Sequence, residues 1–136
     1  VVGASDGVVR GFAESDGKLL WSHSTGKTVI ASAVVVDLAA YIGSADGSLY
    51  ALDLMTGSLN WKVPLCRQLT ATATPDGGVL YVGGVDGVVY CINRDDGAIK
   101  WTNAVGGPIV TKPLVTSDHI IVGSLDGSVY ALHRTT

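Results

Sequence analysis

The sequence predicts an all-β protein. The expected architecture is a β-propeller of four-stranded antiparallel blades on a 40-residue repeat, with two full and two incomplete blades in this chain. Three observations carry that expectation. Gly3-Ala4-Ser5-Asp6-Gly7 recurs as Gly43-Ser44-Ala45-Asp46-Gly47, Gly83-Gly84-Val85-Asp86-Gly87 and Gly123-Ser124-Leu125-Asp126-Gly127, always 40 residues on. Gly17, Gly57 and Gly97 and then Trp21, Trp61 and Trp101 keep the same register. The segments between are β-branched and turn-rich, and a fixed period near 40 with β content marks a repeat architecture rather than one closed core.

Each element follows from the copy Thr28 to Pro64. Val29 to Val36 is an apolar, β-branched run that reads as an inner strand buried on both faces. Asp37-Leu38 turns the chain, and Ala40 to Ser44 forms a second strand. Ser44-Ala45-Asp46-Gly47 is a tight turn, because Gly tolerates positive φ and Asp can accept a bond from its own backbone. Ser48 to Leu54 is a third strand, Met55-Thr56-Gly57 turns again, and Ser58 to Val63 is a fourth. In that last strand Leu59, Trp61 and Val63 share one face and Ser58, Asn60 and Lys62 the other. The inner strands are apolar on both sides, so each sheet must stack face to face on its neighbours, which is radial packing.

The repeat units run about 1–27, 28–67, 68–107 and 108–136 and form a single propeller segment. The chain enters at a second strand and stops after a third. It is therefore expected to be part of a larger propeller or one half of an assembly, with apolar blade faces at both ends.

The pattern Gly43-Ser-Ala-Asp-Gly-Ser-Leu-Tyr-Ala-Leu-Asp53, followed by Thr56-Gly57 and Trp61, returns from Gly83 to Trp101 with Asp96-Gly97 in the turn. It lacks the Trp-Asp dipeptide and the Gly-His pair of WD repeats. It resembles the repeat of the PQQ-like, quinoprotein-type β-propellers over essentially the whole chain. The resemblance implies that Trp21, Trp61 and Trp101 wedge between adjacent blades beside the second turn glycine. It also implies an inner-strand proline, which Pro113 matches and Ala33 and Ala73 do not.

Bulk properties narrow the function. The net charge is −3, charged residues make up 15% and hydrophobic residues 47%, with 18 glycines. The nine basic residues are scattered, so no nucleic-acid footprint is expected. The longest apolar stretch, Val29 to Ile42, is interrupted by Ser32 and Asp37, so no membrane insertion is expected. Cys66 and Cys91 occupy slots held by small residues in sister copies, and neither disulfide nor metal spacing is present.

Gly3-Ala4-Ser5-Asp6-Gly7 matches a hydrolase nucleophile elbow. The position of Ser5 becomes Ala45, Val85 and Leu125, however, and the motif reads as a hairpin. Asp6, Asp46, Asp86 and Asp126, each followed by Gly7, Gly47, Gly87 or Gly127, could form a cation-binding ring. A self-bonded turn explains the Asp-Gly order more simply. His23, His119 and His133 fall at three different repeat positions, which is no metal pattern. Tyr50, Tyr90 and Tyr130 recur as packing residues, with Arg10 as the odd member. No catalytic, cofactor or metal residue is expected.

Individual character is expected in the loops joining an outer strand to the next inner one. Pro64-Leu65-Cys66-Arg67-Gln68 departs most from its siblings, and Leu65 and Arg67 are the candidate partner contact, expected to be exposed. The expected function is a non-catalytic propeller segment that binds a protein partner or other domains of a parent chain. The alternatives are a piece of a PQQ-dependent alcohol or sugar dehydrogenase with its catalytic residues elsewhere, and a module that assembles with itself through its incomplete blades.

Overall fold

The computed structural model describes residues 1–135. Within them lie 14 strands in four antiparallel sheets, each a simple up-and-down meander. Blade 1 holds β1 (Val2–Gly3), β2 (Val8–Phe12) and β3 (Leu19–Ser24). Blade 2 holds β4 (Val34–Val36), β5 (Ala39–Gly43), β6 (Ser48–Asp53) and β7 (Leu59–Pro64). Blade 3 repeats it with β8 (Thr74–Asp76), β9 (Val79–Gly83), β10 (Val88–Asn93) and β11 (Ile99–Ala104). Blade 4 holds β12 (Leu114–Val115), β13 (His119–Gly123) and β14 (Val129–His133). This is the expected strand count for each copy. No helix among the described residues is long and apolar enough to cross a membrane.

Register is copied as faithfully as sequence. Trp21, Trp61 and Trp101 lie opposite Gly11, Ala51 and Cys91, and a bulge follows at the same place in all three sheets. The bulge twists the outer strand and turns its indole out of the sheet toward the next blade. A Cβ on Gly11 would come within 2.2 Å of Trp21, so this slot admits only small residues. Alanine and cysteine fill it in the later copies.

The inner strand departs from expectation. Val29 to Val36 is not one buried strand: pairing is confined to Val34–Val36, and Ile30 is 62% exposed. The reason lies in where the backbone groups go. The Val29 N–H donates to Ala4 O of the preceding blade at 3.0 Å, and the Ser32 N–H donates to Thr72 Oγ1 at 3.1 Å. The segment crosses from one blade to the next, so its backbone bonds go to turns and side chains rather than to a ladder.

The core consists of three apolar layers, one at each junction between blades. Between blades 1 and 2 lie Val9, Trp21, Val29, Ile42, Tyr50 and Leu52. Between blades 2 and 3 lie Tyr41, Leu49, Leu69, Leu80, Val82 and Ile92, among others. Between blades 3 and 4 lie Tyr81, Val89, Ile109, Ile120 and Val122. At each junction the second residue of the third strand points forward (Val9, Leu49, Val89). Ile42 and Leu52 or their equivalents point back to meet it. Close-packed apolar layers of this kind supply most of the stability of stacked repeats.

Candidate functional site: the turn and loop face

One rim of the molecule gathers the Asp-Gly turns and the loops between blades. Each turn is built alike. The Oδ1 atoms of Asp6, Asp46, Asp86 and Asp126 accept the N–H two residues on, from Val8, Ser48, Val88 and Ser128, at 2.8 to 3.2 Å. Gly47 follows with φ of 90°, and a Cβ there would strike Cys66 O, so glycine is required for two reasons.

The second carboxylate oxygen does what the sequence did not suggest. Oδ2 of Asp46, Asp86 and Asp126 each accepts the phenol of Tyr50, Tyr90 or Tyr130 at 2.6 Å. In blade 1, Arg10 takes the tyrosine position and donates to Asp6 Oδ2 at 2.6 Å. The Tyr50 hydroxyl also lies 2.7 Å from Thr25 O, and the Tyr90 hydroxyl 2.8 Å from Leu65 O. At the third junction the Gly106 N–H donates to the Tyr130 hydroxyl at 3.1 Å. The recurring tyrosines thus bind each turn to the loop arriving from the previous blade, and packing is only part of their role. The signal was present: Asp and a donor stand four residues apart in every copy, on one face of a strand.

Electrostatics follow the geometry. Hydrogen bonding and charge from Arg10 hold the Asp6 carboxyl below its ordinary value. Burial pushes Asp46 upward, but bonds from Tyr50, Lys62 and the Ser48 amide outweigh it, and the net shift is downward. Lys62 Nζ sits 3.0 Å from Asp46 Oδ2 and 4.8 Å from the center of the Tyr50 ring. The Tyr50 and Tyr90 phenols are raised, first by burial and then by their aspartates. Both oxygens of Asp6, Asp46, Asp86 and Asp126 are engaged within their own copy, which fits the turn reading. Among the described residues there is no group of three or more His, Cys, Asp or Glu that could hold a metal ion.

Trp21 and Trp61 each reach across to the following blade. Trp21 Nε1 donates to Leu54 O at 2.9 Å and Trp61 Nε1 to Arg94 O at 3.0 Å, each across a junction. Their rings lie on Gly57 and Gly97 of the following blade. Trp101 packs against Tyr81 of its own blade at 5.9 Å between ring centers. On the rim opposite the Asp-Gly turns, Arg94 pairs with Asp37 at 3.0 Å and Arg134 pairs with Asp76, again across junctions.

The candidate contact loop is rigidly held. The Leu65 and Cys66 N–H groups both donate to Gly47 O, at 2.9 and 3.2 Å. Leu65 is half-buried against the layer between blades 2 and 3, which corrects the expectation that it is exposed. The Cys66 thiol donates to Gln68 O, burial raises its pKa, and both cysteines are free. Arg67 is exposed, as expected. The structure therefore offers Arg67 on a fixed pedestal, with Leu65 as part of the pedestal.

Comparisons with known proteins bear on this geometry. The family model described as outer membrane protein assembly factor BamB, a PQQ-like repeat, matches residues 1–73 and 45–136. Among solved structures, BamB from Moraxella catarrhalis superposes with a TM-score of 0.87 at 20% identity, covering 98% of this chain and 45% of that one. The computationally designed Ika4 protein superposes with a TM-score of 0.86 at 20% identity, covering 96% of this chain and 82% of that one. This chain thus spans less than half the length of the BamB chain it matches. Curated proteins yield no match.

Proposed function

The chain belongs to the PQQ-like repeat family described as outer membrane protein assembly factor BamB, and from that premise we propose that it is a non-catalytic protein-interaction segment whose contact is built around Arg67. The fold is that of a β-propeller scaffold. The observation that carries the proposal is the loop 64–68. It alone among the three junction loops replaces the glycine shared by its siblings, Gly26 and Gly106, with Cys66; it carries Arg67 where they have Lys27 and Gly107, and its backbone is pinned to Gly47 and Tyr90. A guanidinium on a rigid support, beside half-buried apolar surface, is a common form of binding anchor. The partner is a protein, or another domain of a parent chain, that presents an acidic or carbonyl-rich surface.

A photoreactive residue at position 67 tests this, with position 100 on the outer strand as control. The expected result is a discrete adduct with one protein from position 67 and none from position 100. Equal adducts from both positions would overturn the proposal. So would PQQ binding with dye-linked oxidation of an alcohol or sugar, which would favor the dehydrogenase alternative.

A further inference from the structure

The junction between blades 2 and 3 holds a cavity of about 330 Å³ beside Trp61, on the rim that carries Arg94 and Asp37. Both blades are four-stranded, and the cavity is lined by their residues alone. Trp61 and Tyr41, with ring centers 5.8 Å apart, form its aromatic wall, and Asp53, Asn60, Arg94 and Asp95 complete it. The repeat does not require this polar lining. One period earlier the positions of Asp53, Asn60, Arg94 and Asp95 hold Ala13, Leu20, Leu54 and Met55, and Trp21 crosses its junction there in the same way. A junction can therefore close without any of the four polar side chains.

The cavity's polar groups have bonding capacity to offer. Asp53 uses one carboxylate oxygen in its own turn, where it accepts the Met55 and Thr56 N–H groups at 3.0 and 2.8 Å, and keeps the other for the cavity. The Asn60 amide and the Asp95 carboxylate make no hydrogen bond or ion pair among the described residues. Tyr41 is 4% exposed, yet the acceptor of its hydroxyl, Arg94 O, lies 3.5 Å away and already takes the Trp61 Nε1–H at 3.0 Å. A bond that long is weak, and a buried donor gains from a better acceptor. Arg94 is held in place by Asp37 at 3.0 Å. Asp37 adopts a φ of 53°, in the region that favors glycine, and the next copy places Gly77 there with φ of 56°. A side chain is thus kept at the cavity mouth where the repeat accepts glycine, and that side chain fixes the guanidinium.

We propose that this cavity binds a single neutral, polyhydroxylated ring of the kind a sugar presents. An anion is excluded by charge, because Asp37, Asp53 and Asp95 outnumber Arg94. Donors and acceptors are interleaved: Tyr41 and Arg94 donate, Asp53 and Asp95 accept, and Asn60 does both. A hydroxyl uses both kinds of neighbor, whereas an ammonium would use the acceptors and leave the donors unmet. The half-buried indole of Trp61 suits the C–H face of a ring. The volume lies near the lower end of the range for ligand cavities, about 300 to 1,000 Å³, which fits one ring rather than a chain. The role is recognition without reaction. It is independent of Arg67, which stands on the other rim.

Nitrogen–proton NMR of the 136-residue chain reads the site through the Trp61 indole, because its N–H bonds to Arg94 O at the cavity. The indoles of Trp21 and Trp101 are internal controls. The probes are glucose, galactose, mannose and N-acetylglucosamine, with putrescine and a sugar phosphate as the cationic and anionic comparisons. The expected result is a saturable shift of the Trp61 signal alone, produced by at least one neutral sugar at millimolar concentration and by neither charged probe. Asn60→Leu combined with Asp95→Met copies the preceding junction and should weaken that binding more than about tenfold, with the urea midpoint unchanged because both sites are exposed. Asp37→Gly copies the next blade and should weaken binding about fivefold by releasing Arg94, while the chain stays folded. The proposal is overturned if no neutral sugar shifts the Trp61 signal, if putrescine or the sugar phosphate binds more tightly than every neutral sugar, or if the double variant binds as the parent does.

Discussion

Tyr90→Phe removes one hydroxyl and nothing else, which makes it a clean probe of the bond between turn and loop. The lost oxygen sits 2.6 Å from Asp86 Oδ2 and 2.8 Å from Leu65 O of the preceding blade's loop. Tyr90 is buried, so water cannot replace the hydroxyl without disturbing the layer between blades 2 and 3. A hydrogen bond to a charged acceptor contributes about 1.5 to 3 kcal/mol. Asp86 is exposed and recovers part of this by hydration, which places the expected loss near 1.5 kcal/mol. Tyr130 makes the same 2.6 Å bond, but it is half-buried and Asp126 is exposed, so Tyr130→Phe should cost less than about 0.5 kcal/mol. Urea unfolding followed by tryptophan fluorescence gives both values. A cycle that adds Asp86→Asn should return about 1 kcal/mol of coupling for the Asp86–Tyr90 pair. The reasoning fails if Tyr130→Phe costs as much as Tyr90→Phe, or if the cycle shows no coupling.

Further outcomes follow from the same geometry. Gly57 has φ of 71°, and a Cβ there would lie 2.4 Å from the Trp21 ring, so Gly57→Ala should cost more than about 2 kcal/mol in thermal or urea melts. The carboxyls of Asp6, Asp46 and Asp126 are lowered from 3.8 in the folded chain. Their contribution to stability is therefore full above that value and is lost as pH falls through the lowered folded values, so the urea midpoint should hold from about pH 7 to about pH 5 and drop below about pH 4. Arg67→Ala should abolish partner binding and leave the melting temperature within about one degree, because Arg67 is exposed.

Much of this molecule can be read in its sequence because one constraint is written several times. A glycine or tryptophan at the same offset in every copy marks a contact made at every junction, and Gly57 under Trp21 and Gly97 under Trp61 are such contacts. The repeat could not show what each residue bonds to. Tyr50, Tyr90 and Tyr130 recur like core residues and are buried or half-buried like them. Their partners are a carboxylate in the same blade and a backbone group 24 or 25 residues away, which no local pattern reveals. The inner strand was overestimated because β-branched residues from Val29 to Val36 look alike whether the backbone pairs in a ladder or bridges two sheets. Leu65 was expected outside because its loop departs most from its siblings. Its side chain nevertheless reaches the layer below, because the bonds to Gly47 O draw the backbone close.

The uniform offsets also bear on how such a chain can change over generations. Indole to carbonyl spans 33 residues at both junctions where it occurs, and phenol to loop carbonyl spans 25 residues at both of its own. A duplication or deletion of one whole period, cut at any point along it, rebuilds every one of these bonds with its donor and acceptor in place. A cut of any other length breaks the bonds that span it. The 40-residue period is thus the unit in which blades can be gained or lost. Within a retained period, novelty is confined to positions that no junction uses, and Arg67 stands at one of these.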